Sequence, residues 1–329
     1  MINPAIISQG PGEPFQEVDL EVPELGSHDL LVEVQAVSMN PIDTKRRRLA
    51  APGSVLGWDA VGVVRALGSE AAAEGFAPGQ EVFYAGQVDR PGSNQRFHAV
   101  DARIVGPKPQ SLSVEEAAAM PLTSLTAWES LFSKLKLQAD STGTLVVVGA
   151  AGGVGSVLVQ LAKRLTQVTV VALASRKESA AWLRELGADH VVNYKDEDYV
   201  QQVKNLAPEG VDYIFSSRTP GRQEFFLEVL RPFGEIVCID EADGIDLNAF
   251  KAKAITWHWE SMFSRPVGGW DVAYQGEVLR KVAAMLDSGE LRHTLTKVVQ
   301  PINAANIGAA HEEIAKGHTV GKIVISGWE

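Results

Sequence analysis

Four apolar residues, Leu145-Val146-Val147-Val148, run directly into Gly149-Ala150-Ala151-Gly152-Gly153-Val154-Gly155, and twenty positions after Gly155 stands Ser175-Arg176-Lys177. Three of the four apolar residues are β-branched, which suits a parallel strand buried on both faces. Small residues after such a strand let the chain turn tightly and bring backbone N–H groups and a helix N-terminus against a pyrophosphate. The chemistry expected here is dinucleotide binding. Gly152 and Gly155 fill two places of a G-x-G-x-x-G pattern, and Ala150 stands in the first. The residue after the next strand decides which dinucleotide. An Asp or Glu would accept from a ribose 2′-hydroxyl, whereas Ser175 offers a hydroxyl and Arg176 and Lys177 offer two cations to a 2′-phosphate. NADPH is therefore expected rather than NADH.

Groups able to move a proton are fewer. Tyr84 follows a predicted strand and would present a phenol, Asp43 would orient Asn40 or relay a proton, and His258 would serve as an acid. Trp58 is read as a wall of the substrate pocket, with Phe263, Trp257 and Trp259 lining its substrate side. No metal is expected: Cys238 is the sole cysteine, and the seven histidines, at 28, 98, 190, 258, 293, 311 and 318, form no i, i+3 or i, i+4 pair. A single cysteine also excludes an intrachain disulfide and fits a reducing compartment.

Helices and strands must place these groups. Val154, Val157, Leu158, Leu161 and Leu165 recur at the spacing of one buried helical face, so a helix opens at the glycine turn. Strands and helices then alternate: Val168–Leu173, Ser179–Leu186, Val191–Val192, Val211–Phe215, Gln223–Leu230 and Ile236–Ile239, the order of a doubly wound parallel sheet. Upstream of about Lys108 the texture changes to short apolar runs between Pro-Gly turns at Pro52, Pro78 and Pro91, which predicts a β-rich, barrel-like domain. Ser113 with Glu116 marks a capped helix start, and Leu122 to Leu137 a second amphipathic stretch. A last helix is expected near Glu277–Leu286, with strands at Thr296–Val299 and Lys322–Ile325 returning to the first domain. The predicted divisions are residues 1–122, 123–262 and 263–329.

The chain has 329 residues, 45% hydrophobic and 22% charged, with a formal charge of −11. That balance argues against nucleic acid or an anionic membrane as partner, because each attracts a basic footprint. The run Lys45-Arg46-Arg47-Arg48 is short and is read as a solvated loop. No signal segment or uninterrupted apolar span is evident, and the protein is expected to be cytoplasmic.

Several segments together resemble the medium-chain dehydrogenase/reductases, and within them the zinc-free quinone oxidoreductases: Ala36–Asp43, Gly57–Val64, Pro121–Trp128, Gly149–Gly155, Asn193-Tyr194 and His318–Lys322. Arg90–Asn94, Arg103–Gly106 and His258–Phe263 resemble a subgroup labelled zinc-type alcohol dehydrogenase-like. The resemblance implies an α/β fold, a Rossmann doubly wound sheet plus a GroES-like β-rich barrel domain. It implies that Asn40 lies beside the nicotinamide, that Thr126, Gly321 and Lys322 touch the cofactor, and that Tyr194 lies near the adenosine phosphate. The cofactor set it completes is Gly149, Ala151, Gly152, Gly153, Val154, Ser175, Arg176, Lys177 and Ser216. It also implies a homodimer joined through edge strands of the cofactor sheets, with Ile236–Ile239 or the segment after it contributing. Zinc enzymes of the family use a Cys, the His of a Gly-His-Glu turn and a later Cys; here these positions read Met39-Asn40-Pro41, Gly57-Trp58-Asp59 and Leu122.

Without a Lewis acid, alcohol oxidation loses the device that acidifies the bound hydroxyl, whereas quinones and α,β-unsaturated carbonyls accept hydride onto a delocalised system that a few hydrogen-bond donors can stabilise. The expected function is NADPH-dependent reduction of such an acceptor. The alternatives are an NADPH-binding sensor or structural protein with little turnover and, behind it, an alcohol dehydrogenase.

Overall fold

The computed structural model describes residues 2–329. They divide into two compact units, one running to residue 125 together with residues 263–329 and one of residues 126–262. The first crossing lies three residues after the position expected from sequence.

In the second unit six strands form one parallel sheet in the spatial order His190–Asn193, Thr169–Ala174, Thr144–Val148, Val211–Ser216, Leu230–Cys238, Thr256–Trp259. Thr144–Val148 is buried throughout and sits at the centre, with Val146 facing Val171 on one side and Ile214 on the other. Strand order reverses beside it, so the C-terminal end of Thr144–Val148 is the switch point where an open α/β sheet receives its ligand. The following helix, Gly153–Leu165, buries Val157, Leu158, Leu161 and Ala162. This is the doubly wound sheet expected. Two features were not. Ile236–Ile239 is not an edge, because Thr256–Trp259 pairs outside it. The stretch Leu122–Leu137 is helix Pro121–Trp128 followed by a wider π-helical segment, Glu129–Lys134.

The first unit is β-rich. Seven strands form one sheet in which Leu295–Val299, Lys322–Ser326, Asp29–Ser38, Asp59–Leu67, Glu81–Tyr84 and Val105–Pro107 follow in order, with Phe97–Asp101 also paired to Asp29–Ser38. A smaller sheet joins Gln16–Glu21, Ile2–Ser8 and Ser54–Val55. The capping box holds: the Ser113 N–H donates to Glu116 Oε2 at 2.9 Å and the Glu116 N–H to Ser113 Oγ at 3.2 Å. The last long helix starts earlier than its apolar spacing suggested, at Ala273–Asp287, and a further helix, Ala304–Ala315, lies in a stretch where no element was expected. The basic run is no loop. Lys45, Arg46 and Arg47 form the last turn of helix Pro41–Arg47, where cations suit the negative end of the helix dipole, and Arg47 stacks 4.3 Å from the Phe15 ring.

Candidate functional site

At the switch point of the parallel sheet, Gly149 takes the left-handed conformation, φ +80°. This is why Ala150 is tolerated one place later: the residue that needs to be glycine is Gly149. Gly155 is needed for another reason, since a Cβ there would lie 2.6 Å from Ala150 Cα and 2.7 Å from its carbonyl carbon, so helix and turn can approach only without it. At Gly152 a Cβ would find only Gly149 O at 3.4 Å. Gly152 opens helix Gly153–Leu165 with no side-chain cap. Ala151, Gly152, Gly153 and Val154 thus form a half-exposed helix start with no side-chain cap, whose N–H groups, except that of Gly152, which donates to the Gly149 carbonyl at 3.1 Å, suit a pyrophosphate. The residues present fit a dinucleotide.

Ser175 follows strand Thr169–Ala174 and donates to the Tyr194 hydroxyl at 3.0 Å. Arg176 is the N-cap residue and Lys177 the first residue of helix Lys177–Glu185; both are exposed. The Arg222 guanidinium lies 5.2 Å from the Tyr194 ring centroid. Arg222 was missed from sequence, because it comes from a loop 28 positions beyond Tyr194 and carries no local signal. Ser216 ends strand Val211–Ser216, fully buried, with the Thr219 hydroxyl at 2.9 Å. Thr126, expected as a cofactor contact, is a buried residue of helix Pro121–Trp128.

In the first unit a buried polar cluster gathers Asn40, Asp43, Asp59 and Lys322. Asn40 caps helix Pro41–Arg47, and its backbone N–H donates to Asp43 Oδ2 at 2.6 Å. Its side-chain N–H groups go to Asp59 Oδ2 at 2.8 Å and the Ser38 carbonyl at 3.2 Å. The Lys322 ammonium donates to the Met39 carbonyl at 2.8 Å, Asn40 Oδ1 at 2.5 Å and Asp59 Oδ2 at 3.0 Å. The Leu122 N–H completes the set on Asp59 Oδ1 at 2.7 Å. Asp43 Oδ1 has no hydrogen-bond partner. Burial raises the Asp43 carboxyl to about 7; the Asn40 N–H and Lys322 oppose that rise and Asp59 adds to it. Asp59 and Lys322 were not read as a pair from sequence, since 263 residues separate them. All three Lys322 ammonium protons are thus taken up inside its own unit. Gly321 has φ +58°, and a Cβ there would strike the Thr294 carbonyl, so its glycine identity serves the approach to that strand.

Tyr84 and His98 settle each other's roles. His98 Nε2 lies 3.0 Å from the Pro91 carbonyl, which can only accept, so the imidazole proton sits on Nε2. Burial lowers the His98 pKa to about 4 and keeps it neutral. Nδ1 then accepts, and the Tyr84 hydroxyl donates to it at 2.9 Å. With its proton spent and its phenol fully buried, which drives its pKa up, Tyr84 does not match the proton donor expected from sequence. Trp58 is buried and meets Phe263 edge-on at 6.2 Å, its indole N–H donating to the Gln87 carbonyl at 2.8 Å. His258 belongs to the other unit, on edge strand Thr256–Trp259, 2.7 Å from Glu235 Oε2. Among the described residues no three His, Cys, Asp or Glu side chains converge as a metal ion requires. Cys238 lies buried in the parallel sheet with its thiol pushed up to about 12. The residues present do not fit a catalytic zinc.

The sequence matches two family models, the alcohol dehydrogenase GroES-like domain over residues 26–122 and the zinc-binding dehydrogenase domain over residues 186–325. A zinc-type alcohol dehydrogenase-like protein of Staphylococcus aureus (strain MSSA476) is 37% identical over 96% of both chains. The 2-methylene-furan-3-one reductase of Solanum lycopersicum is 30% identical over 94% of this chain and 74% of its own. A provisionally assigned zinc-dependent alcohol dehydrogenase from Rhizobium etli CFN 42, of known structure, superimposes with a TM-score of 0.93 at 40% identity, over 100% of this chain and 99% of that one. With the GroES-like and Rossmann units both in place, the chain is an oxidoreductase of the medium-chain dehydrogenase/reductase superfamily.

Proposed function

We propose that the protein reduces a quinone or an α,β-unsaturated carbonyl with NADPH and without zinc. The observation that carries this reading is the Gly57-Trp58-Asp59 turn. Where a zinc enzyme of the family places a ligating histidine, Trp58 is packed on Phe263 and pinned to Gln87, and Asp59 is engaged by Lys322 and Asn40. An indole offers no lone pair to a metal. The related tomato enzyme is named for reduction of a conjugated ketone. NADPH, when bound, supplies a hydride.

The rest falls to this chain's residues. The glycine turn holds the pyrophosphate, and Ser175, Arg176, Lys177 and Arg222 gather hydroxyl and positive charge at the position expected for a 2′-phosphate. Trp58 and Phe263 give an apolar wall that suits a flat conjugated acceptor and excludes water. Asp43 holds a proton near neutrality, and its Oδ1 is the group in the buried cluster still able to give one. We also read the protein as a cytoplasmic homodimer. Thr256–Trp259 is the outer strand of the parallel sheet and Trp259 is half exposed, so this strand, rather than Ile236–Ile239, is the edge to pair.

The test is NADPH and NADH oxidation with 1,4-benzoquinone, 9,10-phenanthrenequinone and a simple enone in the presence of a chelator. Chelator-resistant turnover that prefers NADPH is expected. Tight NADPH binding without turnover of any acceptor would leave the sensor reading, and turnover abolished by chelation and restored by zinc would overturn the metal-free one.

A further inference from the structure

Thr219 is fully buried although it belongs to a loop, the stretch between strand Val211–Ser216 and helix Gln223–Val229. Its backbone N–H donates to Asp240 Oδ2 at 2.8 Å and its hydroxyl to Asp240 Oδ1 at 2.6 Å, so one carboxylate holds both donors of one residue. The Ser216 hydroxyl and the Cys238 thiol lie 2.9 and 3.2 Å from the same threonine oxygen. Loops are ordinarily the exposed and mobile part of a chain, and this one is pinned to the neighbouring strand end. The pin acts three residues further on. Thr219-Pro220-Gly221-Arg222 is a β-turn: the Arg222 N–H donates to the Thr219 carbonyl at 3.1 Å, proline stands second, and Gly221 in third place has φ +75°, the pattern of a type II turn. Fixing Thr219 therefore fixes Arg222.

The Arg222 guanidinium lies 5.2 Å from the Tyr194 ring centroid. Pairing of Ala174 with Asn193 sets Tyr194 beside Ser175 at the C-terminal ends of their strands, and the Tyr194 hydroxyl accepts from Ser175 at 3.0 Å. Ser175, Tyr194 and Arg222 are each partly exposed, so a ligand can reach them. With Ser175 donating, the phenol keeps its own proton for an outside acceptor, and exposed Arg176 and Lys177 follow Ser175 directly. Hydroxyl donors beside cations select an anion. Ordering a long side chain on a moving loop costs entropy, so a turn already fixed leaves more of the charge attraction as affinity. We propose that Asp240, acting through Thr219, is a positioning residue that holds Arg222 against Tyr194 and thereby sets the preference for the phosphorylated dinucleotide. This rests on the reading of Ser175, Arg176 and Lys177 as the 2′-phosphate site.

The test is the ratio of the Kd for NADH to that for NADPH, read by fluorescence titration of the full chain, since the two dinucleotides differ by the 2′-phosphate alone. Arg222→Gln is expected to raise the Kd for NADPH about tenfold and to leave that for NADH within about twofold. Asp240→Asn keeps the shape of the side chain but offers one acceptor where Thr219 presents two donors, and is expected to raise the Kd for NADPH about fivefold, again sparing NADH. Thr219→Val, which removes only the hydroxyl, is expected to follow Asp240→Asn. The decisive protein carries Arg222→Gln and Asp240→Asn together. If Asp240 works through Arg222 the pair matches Arg222→Gln alone, about tenfold, whereas independent effects multiply to about fiftyfold. Three results overturn the proposal: a double variant at the product of the single effects, folded Asp240→Asn and Thr219→Val proteins with the wild-type ratio, and variants that lose NADPH and NADH alike, which makes the network structural only. Wild-type protein that binds both dinucleotides equally removes the 2′-phosphate reading itself, a failure distinct from a wild-type preference that Asp240→Asn leaves intact.

Discussion

His311 lies buried with its ring edge-on to Phe15 at 4.9 Å and with neither ring nitrogen hydrogen-bonded. Burial, with Arg47 nearby, lowers its pKa to about 4, and burial does the same to His98. A group whose pKa is depressed on folding adds stability that is present above its ordinary value of 6.5 and lost as pH falls through about 4. Asp43 acts in the opposite sense: raised from 3.8 to about 7, its contribution is full below 3.8 and lost as pH rises through about 7. Two imidazoles against one carboxyl make the melting temperature climb from pH 4 to pH 6.5. His311→Phe keeps the ring contact and removes both the titration and two unpartnered nitrogens, so it is expected to raise the melting temperature more at about pH 5 than at about pH 7.5; equal shifts at both would refute burial of a neutral imidazole. Tyr84→Phe asks a different question. Orphaning His98 Nδ1 should cost about 1–3 kcal/mol of stability. Turnover should stay within about twofold, because the phenol's proton is already given to His98, whereas loss of a true proton donor costs about a hundredfold or more.

Glycines in the turn before helix Gly153–Leu165 separate packing from ligand binding. Gly152 has φ −72° and room for a methyl group, so Gly152→Ala should melt with wild type yet place that methyl in the pyrophosphate cradle and weaken NADPH binding in a fluorescence titration. Gly155→Ala should instead lose both, since its Cβ meets backbone of Ala150. Unchanged affinity in the Gly152→Ala protein would remove the pyrophosphate from this turn. At the end of the next strand, replacing Arg176 and Lys177 by Ala should raise the KM for NADPH far more than that for NADH, and equal effects would displace the 2′-phosphate site. These elements were legible in the sequence because their signals are local: a buried β-branched run, small residues, then apolar positions at helical spacing, giving Thr144–Val148 and Gly153–Leu165. Edge strand Thr256–Trp259 was not, because Thr-Trp-His-Trp gives only four residues of polar and apolar alternation, its burial does not follow that alternation, and it is defined by pairing with Leu230–Cys238. The Asn40–Asp59–Lys322 cluster was half legible. Asn40 and Asp43 share a helix start, but Lys322 enters from a strand near the other end of the chain, and only the antiparallel pairing of Val324 with Ser38 brings it there.

Across the whole molecule the sequence relationship and the side chains point in different directions: one family model and the staphylococcal relative are named for zinc, while the position of the ligating histidine holds a tryptophan, followed by an ion-paired aspartate. Stability measurements decide between them without any substrate. A ligand that binds only the folded state at about 100 times its Kd adds about 2.7 kcal/mol. For a unit the size of the parallel-sheet one, that raises the melting temperature by about 5–10 °C. NADPH is expected to give a shift of this order and NADH a smaller one at equal concentration, on the proposal that the 2′-phosphate meets Ser175, Arg176 and Lys177. Zinc at the same concentration, or a chelator, is expected to leave the transition where it is, since an indole at position 58 cannot replace an imidazole. A stabilisation by zinc that survived dialysis would mean that a ligand set assembles elsewhere on the chain, and the metal-free reduction would fall with it. A shift with NADPH alone ties the oxidoreductase fold to its cofactor and leaves hydrogen bonds, rather than a Lewis acid, to meet the negative charge that hydride transfer puts on the acceptor.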